Sequence, residues 1–92
     1  MNGDELMASL LKKEGVEWIS CFPAQTLINA CSKEGIRPVM CRQERAGVNM
    51  ADSYSRIHNG NKIGVFTMQH GPGAENAFGG VAQAFADNVP IL

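Results

Sequence analysis

Apolar residues recur along this chain at two alternating periods. Residues 4–14 place Leu6, Met7, Leu10 and Leu11 on one face at helical spacing, with Asp4 as a cap and Gly15 as a stop. Trp18 to Phe22 forms a short buried-strand run, ended by Pro23. Residues 25–34 return to helical spacing, with Leu27, Ile28 and Cys31 inward and Gly35 closing the helix. Pro38 to Cys41 predicts a second strand. A third helix is expected from Gln43 to His58, with Ala46, Met50, Ala51 and Tyr54 as its apolar stripe. Asn59-Gly60-Asn61 signals a turn, and Lys62 to Met68 reads as a third strand, broken by Gly71-Pro72-Gly73. A fourth helix follows, with Ala77, Phe78, Val81, Ala82 and Phe85 on one face, and Val89 to Leu92 begins a fourth strand.

The order α-β-α-β-α-β-α-β predicts the α/β class. The expected architecture is a three-layer open sheet, mostly parallel, with right-handed crossovers and helices on both faces. No internal repeat, linker or low-complexity segment interrupts it. A parallel strand needs neighbours and covering helices, yet the chain stops in apolar Val89-Pro90-Ile91-Leu92. A partial domain over residues 1–92, cut near the fourth strand, is therefore expected. A small subunit whose last strand ends at an oligomer interface is the alternative.

Composition narrows the classes. A chain of 92 residues holds at most one domain, and 45% hydrophobic residues exclude a disordered composition. A net charge of -1 gives no electrostatic case for nucleic acid or an anionic membrane. The apolar stretches are too short to span a bilayer, and no secretory signal opens the chain, so the cytoplasm is the expected compartment. Cys21, Cys31 and Cys41 contain no CxxC pair, and their expected state is reduced and buried, without zinc.

In a parallel sheet, ligands collect beyond the carboxyl ends of the strands. Three segments converge there: Phe22-Pro23-Ala24-Gln25, Arg42-Gln43-Glu44, and Gln69 through Asn76. On its own, Glu44 also reads as an acid in a first helical turn, where it complements the helix dipole. The Gly71-Pro72-Gly73 turn also has two readings. One is a strand-to-helix turn; the other is a loop whose glycines let a ligand approach the backbone. A Walker loop is excluded, because no Gly-Lys-Ser/Thr follows. The turn is one residue from GxGxxG, but that fingerprint normally follows the first strand, not the third.

These segments carry a resemblance. RQERAGVNMADSYSR resembles the HE-x-x-A-x-x-x-A-x-x-Y-A-R helix of the acetolactate synthase and pyruvate decarboxylase family. MQHGPGAENAFGGVAQAFADNVPIL is similar to its SGPGATN…A-x-A-D-S-V-P stretch, and GVEWISCFPAQ to its GV-x-x-V-F-G-x-PG first strand. The resemblance covers nearly the whole chain in order. It implies the front part of the pyrimidine-binding domain of a thiamine-diphosphate-dependent enzyme.

By that resemblance, Glu44 bonds the N1′ nitrogen of the cofactor's aminopyrimidine and helps remove the thiazolium C2 proton. Such a role calls for a Glu shielded from water. Pro23, Pro72 and Asn76 fall on positions beside the pyrimidine; Gln25, Gln69 and His70 are candidates for the substrate side, with a solvated loop histidine as the other reading of His70. The substrate implied is a small carbonyl compound, usually a 2-keto acid, and the parent a decarboxylase, lyase or transferase working as a homodimer or homotetramer. Mg²⁺ and diphosphate are held in the family by a C-terminal Gly-Asp-Gly domain, which this chain lacks, so the chain alone is expected to be inactive.

Departures bear on the substrate. Gln43 replaces a frequent His, Ala24 a Gly, Gln69-His70 small residues, and Glu75 a Thr. Two other readings stand beside this one. The small-residue faces Ala46, Gly47, Ala51 and Gly79, Gly80, Ala82 would suit a helix-packed oligomerisation module. The glycine turn would suit a Rossmann-type nucleotide binder.

Overall fold

A computed structural model describes residues 1–23 and 26–92. The elements run α1 (Gly3–Lys13), β1 (Trp18–Cys21), α2 (Thr26–Lys33), β2 (Arg37–Met40), α3 (Glu44–Ile57), β3 (Phe66–Thr67) and α4 (Pro72–Ala86). The described strands form one parallel sheet in the order β2-β1-β3. Helices α1 and α2 pack together, as do α3 and α4, which gives the expected three-layer α/β arrangement. Among the described residues, no helix is long and apolar enough to cross a membrane.

The cap of α1 differs from expectation. Asn2, not Asp4, caps it: the Asn2 side chain accepts from the Glu5 N–H at 2.9 Å, and the Asn2 N–H donates to Glu5 Oε2 at 3.1 Å. Asp4 instead accepts a bond from the Thr26 hydroxyl, which ties the starts of α1 and α2 together. Gly15, with φ +85, closes the turn after α1 as the sequence predicts.

The third strand is shorter than Lys62 to Met68. Only Phe66–Thr67 forms a strand, and Gly64 adds a parallel bridge to Ile91. The fourth strand is present as that bridge, with the Phe66 N–H bonding the Leu92 carbonyl at 2.9 Å and the Leu92 N–H bonding the Gly64 carbonyl at 3.0 Å. Gly64 runs against the backbone of Ala51, and its N–H donates to Ser55 Oγ at 2.8 Å. That bond turns Gly64 toward α3 and starts the ladder late.

Ala8, Leu11, Ile19, Ala30, Cys31, Ile36 and Val65 form the main core, between α1, α2 and the sheet. On α1, Leu6, Met7 and Leu10 are about half exposed, and Ala8 takes the inward place beside Leu11. The faces of α3 and α4 are also rotated from the predicted stripes. On α3 the buried residues are Glu44, Gly47, Val48, Ala51, Asp52 and Ser55, while Ala46 is exposed. On α4 they are Gly73, Ala77, Gly80 and Ala84, while Phe78 and Phe85 face outward. The cause is close packing of α3 on α4: a Cβ at Gly80 would sit 2.7 Å from Val48. Gly47, Ala51 and Gly80 are thus taken up in packing within the chain, while Ala46, Gly79 and Ala82 stay exposed.

The thiols match their expected state except that Cys41 is half-buried. Cys21, Cys31 and Cys41 are free, the first two buried, and burial pushes all three above the usual thiol range.

Candidate functional site

β1 lies between β2 and β3, so successive crossovers leave it in opposite directions. The carboxyl ends of β1 and β3 are therefore the topological switch point, where ligands collect in open parallel sheets. Pro23 follows β1 there, and Gln69 to Gly73 follows β3. α3 returns from β2 and packs on β1 and β3, which carries its first residue, Glu44, to the same end.

Glu44 is only 5% exposed. Its Oε1 accepts a bond from Asn76 Nδ2 at 3.4 Å. A Cβ built on Gly73 would lie 3.2 Å from Glu44 Oε2 and 3.2 Å from Gln69 Cβ, so the bare Gly73 leaves the carboxyl its room. Gly71 caps α4 at φ 69, ψ -111, a left-handed backbone that glycine adopts without strain. Open space lies where its side chain would be. Pro72 starts α4, where its missing N–H leaves nothing unpaired. The partly positive amino ends of α3 and α4 thus meet at one buried carboxyl.

Glu44, Asn76 and Gly73 are brought together. Pro23, Pro72, Gln69 and His70 are exposed around this end of the sheet. Gln25 lies outside the described residues. A cavity of about 300 Å³, lined by Leu11, Trp18, Tyr54 and Val65 among others, opens at the amino ends of the strands and contains none of the predicted site residues.

Other motif residues have structural partners. Arg56 bonds Asp52 and, at 2.7 Å, Asp87 Oδ2, which joins the ends of α3 and α4. Tyr54 stacks edge-on with Trp18 and His58 at ring distances of 5.1 and 4.4 Å. Ser20, which is not among the predicted site residues, is fully buried and donates to the Gly47 carbonyl at 2.7 Å. A hydroxyl amid the buried β1 run was the only signal for it.

A parallel α/β sheet with a buried glutamate facing a Gly-Pro-Gly turn at its switch point defines a ligand-binding α/β domain. The chain belongs to the family described as thiamine pyrophosphate enzyme, N-terminal TPP binding domain, whose model matches residues 1–92. It is 33% identical over 96 residues to the acetolactate synthase large subunit of Haemophilus influenzae, covering 100% of this chain and 16% of that relative. It is 34% identical to the acetolactate synthase large subunit of Lactococcus lactis, covering 99% of this chain and 16% of that relative. It is 31% identical to acetolactate synthase isozyme 3 large subunit of Escherichia coli, again over 100% of this chain and 16% of the relative. The chain thus spans about 16% of the length of these relatives.

Proposed function

We propose that this chain is the pyrimidine-binding region of a larger thiamine-diphosphate-dependent enzyme of the acetolactate synthase-like group. The parent would make or break a bond next to a carbonyl, usually that of a 2-keto acid, as a lyase, decarboxylase or transferase. The observation that carries this reading is the burial of Glu44 against Gly73 of the glycine turn.

The residues present fit the pyrimidine half of the cofactor. Gly73 has no side chain to crowd the Glu44 carboxyl, and Pro23 and Pro72 stiffen the two loops at this end of the sheet. Glu44 would hold a proton against the N1′ nitrogen, where its burial keeps bulk water from competing. Asn76 would keep Oε1 engaged and leave Oε2 toward the turn. Gln69 and His70, exposed on the same loop, would meet the substrate. When bound, the cofactor supplies the carbanion chemistry at C2.

Among the described residues, no three His, Cys, Asp or Glu side chains group to hold a metal ion. Mg²⁺ and the diphosphate would be held by a C-terminal domain, usually of another subunit in a homodimer or homotetramer. The exposed Phe78, Val81 and Phe85 of α4 support such an assembly. The chain alone would then be inactive; turnover of pyruvate by the purified 92 residues with thiamine diphosphate and Mg²⁺ would overturn that statement.

The test of the role is Glu44→Gln in the full-length protein. Hydrogen–deuterium exchange at C2 of the bound cofactor should slow by about 10²–10⁴-fold, the usual worth of a positioned acid or base. An unchanged exchange rate would sink the role.

A further inference from the structure

Ser20 sits on the central strand with no exposed surface, yet it is polar. A buried hydroxyl must find a partner. It donates to the Gly47 carbonyl at 2.7 Å, and the Val65 carbonyl lies farther off at 3.4 Å. Gly47 belongs to the turn of α3 that begins at Glu44, and its own N–H donates to the Gln43 carbonyl at 3.2 Å. The residues on either side of the first Glu44 peptide are thus linked, through Gly47, to the middle of the sheet.

That turn needs an anchor. Glycine inside a helix costs about 1 kcal/mol relative to alanine, chiefly through backbone freedom. Alanine does not fit here, because a Cβ at Gly47 would lie 2.2 Å from the Phe66 ring and 2.9 Å from Cys41 Sγ. The ring and the thiol close on Gly47 from one side, and the Ser20 hydroxyl holds its carbonyl. The first-strand pattern GV-x-x-V-F-G-x-PG carries Phe at the place of Ser20. The helix pattern carries Ala at that of Gly47. The anchor is therefore a feature of this chain rather than of the motifs.

We propose that Ser20 is a positioning residue for Glu44. Its hydroxyl fixes the first turn of α3 on the sheet and so sets where the Glu44 carboxyl stands relative to the glycine turn. This rests on the proposed role of Glu44. Ser20 touches neither cofactor nor substrate.

The test compares Ser20→Ala, Ser20→Cys, Ser20→Thr and Glu44→Gln in the full-length protein, with C2 hydrogen–deuterium exchange of bound thiamine diphosphate as readout at saturating cofactor. Ser20→Ala should slow exchange by about tenfold, the scale of a sub-ångström misplacement, with cofactor affinity unchanged. Ser20→Thr, which keeps the hydroxyl, should recover most of the rate. Where Ser20→Ala does not fold, Ser20→Cys, a weaker donor of similar size, should give the same slowing. A wild-type rate in Ser20→Ala or Ser20→Cys, with Glu44→Gln slowed, overturns the proposal and leaves the role of Glu44 standing. A wild-type rate in Glu44→Gln overturns both.

Discussion

Arg56 and Asp87 lie in two different motifs, and both are used for structure. Asp52 has a side chain only 3% exposed, and the Arg56 guanidinium bonds it while also reaching Asp87. Those two carboxylates hold the Arg56 proton more tightly than usual. Arg56→Met would leave the buried Asp52 carboxylate without its cation, and a buried unpaired charge is costly. The melting midpoint of this domain in the full-length protein should fall, and adding Asp52→Asn should restore part of the loss. Equal midpoints for Arg56→Met and the wild type would contradict this. Glu44 was legible in the sequence because ordered motifs on both sides hold it in register. Ser20 was not, because its partner Gly47 is 27 residues away and only the packed sheet brings them together.

Element existence and order were legible from periodicity, and most boundaries fall within a residue or two. Which face of a helix is buried was less so. On α3 the inward positions recur at helical spacing, but Glu44, Asp52 and Ser55 fill three of them. Each has a partner that makes burial tolerable: Asn76, Arg56 and the Gly64 N–H. A count of apolar residues cannot see those partners. On α4 the large residues suggested the inward face, whereas the small ones meet α3 because the two helices run so close. Two substitutions separate kinds of contact. Gly80→Ala drives a Cβ to 2.7 Å from Val48 Cγ1 and 2.9 Å from its Cβ, an overpacking that should cost about 1–3 kcal/mol. Gly64→Ala drives a Cβ to 2.0 Å from the Ala51 carbonyl oxygen, which cannot yield, and should cost more. Urea unfolding ranks the two, and a smaller loss for Gly64→Ala would contradict the packing described.

At the scale of the whole molecule, the sheet places the candidate site at one end and leaves it open. The glycine turn follows the third strand and comes after the buried Glu44 in the chain, whereas a dinucleotide fingerprint follows the first strand and its acid comes after the glycines. That contrast favours the pyrimidine reading over a Rossmann-type binder. Gly80 meets α3 at Val48, while Ala46, Gly79 and Ala82 stay exposed, as do the outward Phe78, Val81 and Phe85. Substrate identity was not legible, because Gln69 and His70 are exposed and Gln25 lies outside the described residues. The most direct test is a crystal structure of the full-length protein with thiamine diphosphate and Mg²⁺. A Glu44 carboxylate oxygen should stand within about 2.6–3.2 Å of the N1′ nitrogen. A cofactor bound with its pyrimidine away from Glu44 would contradict the account.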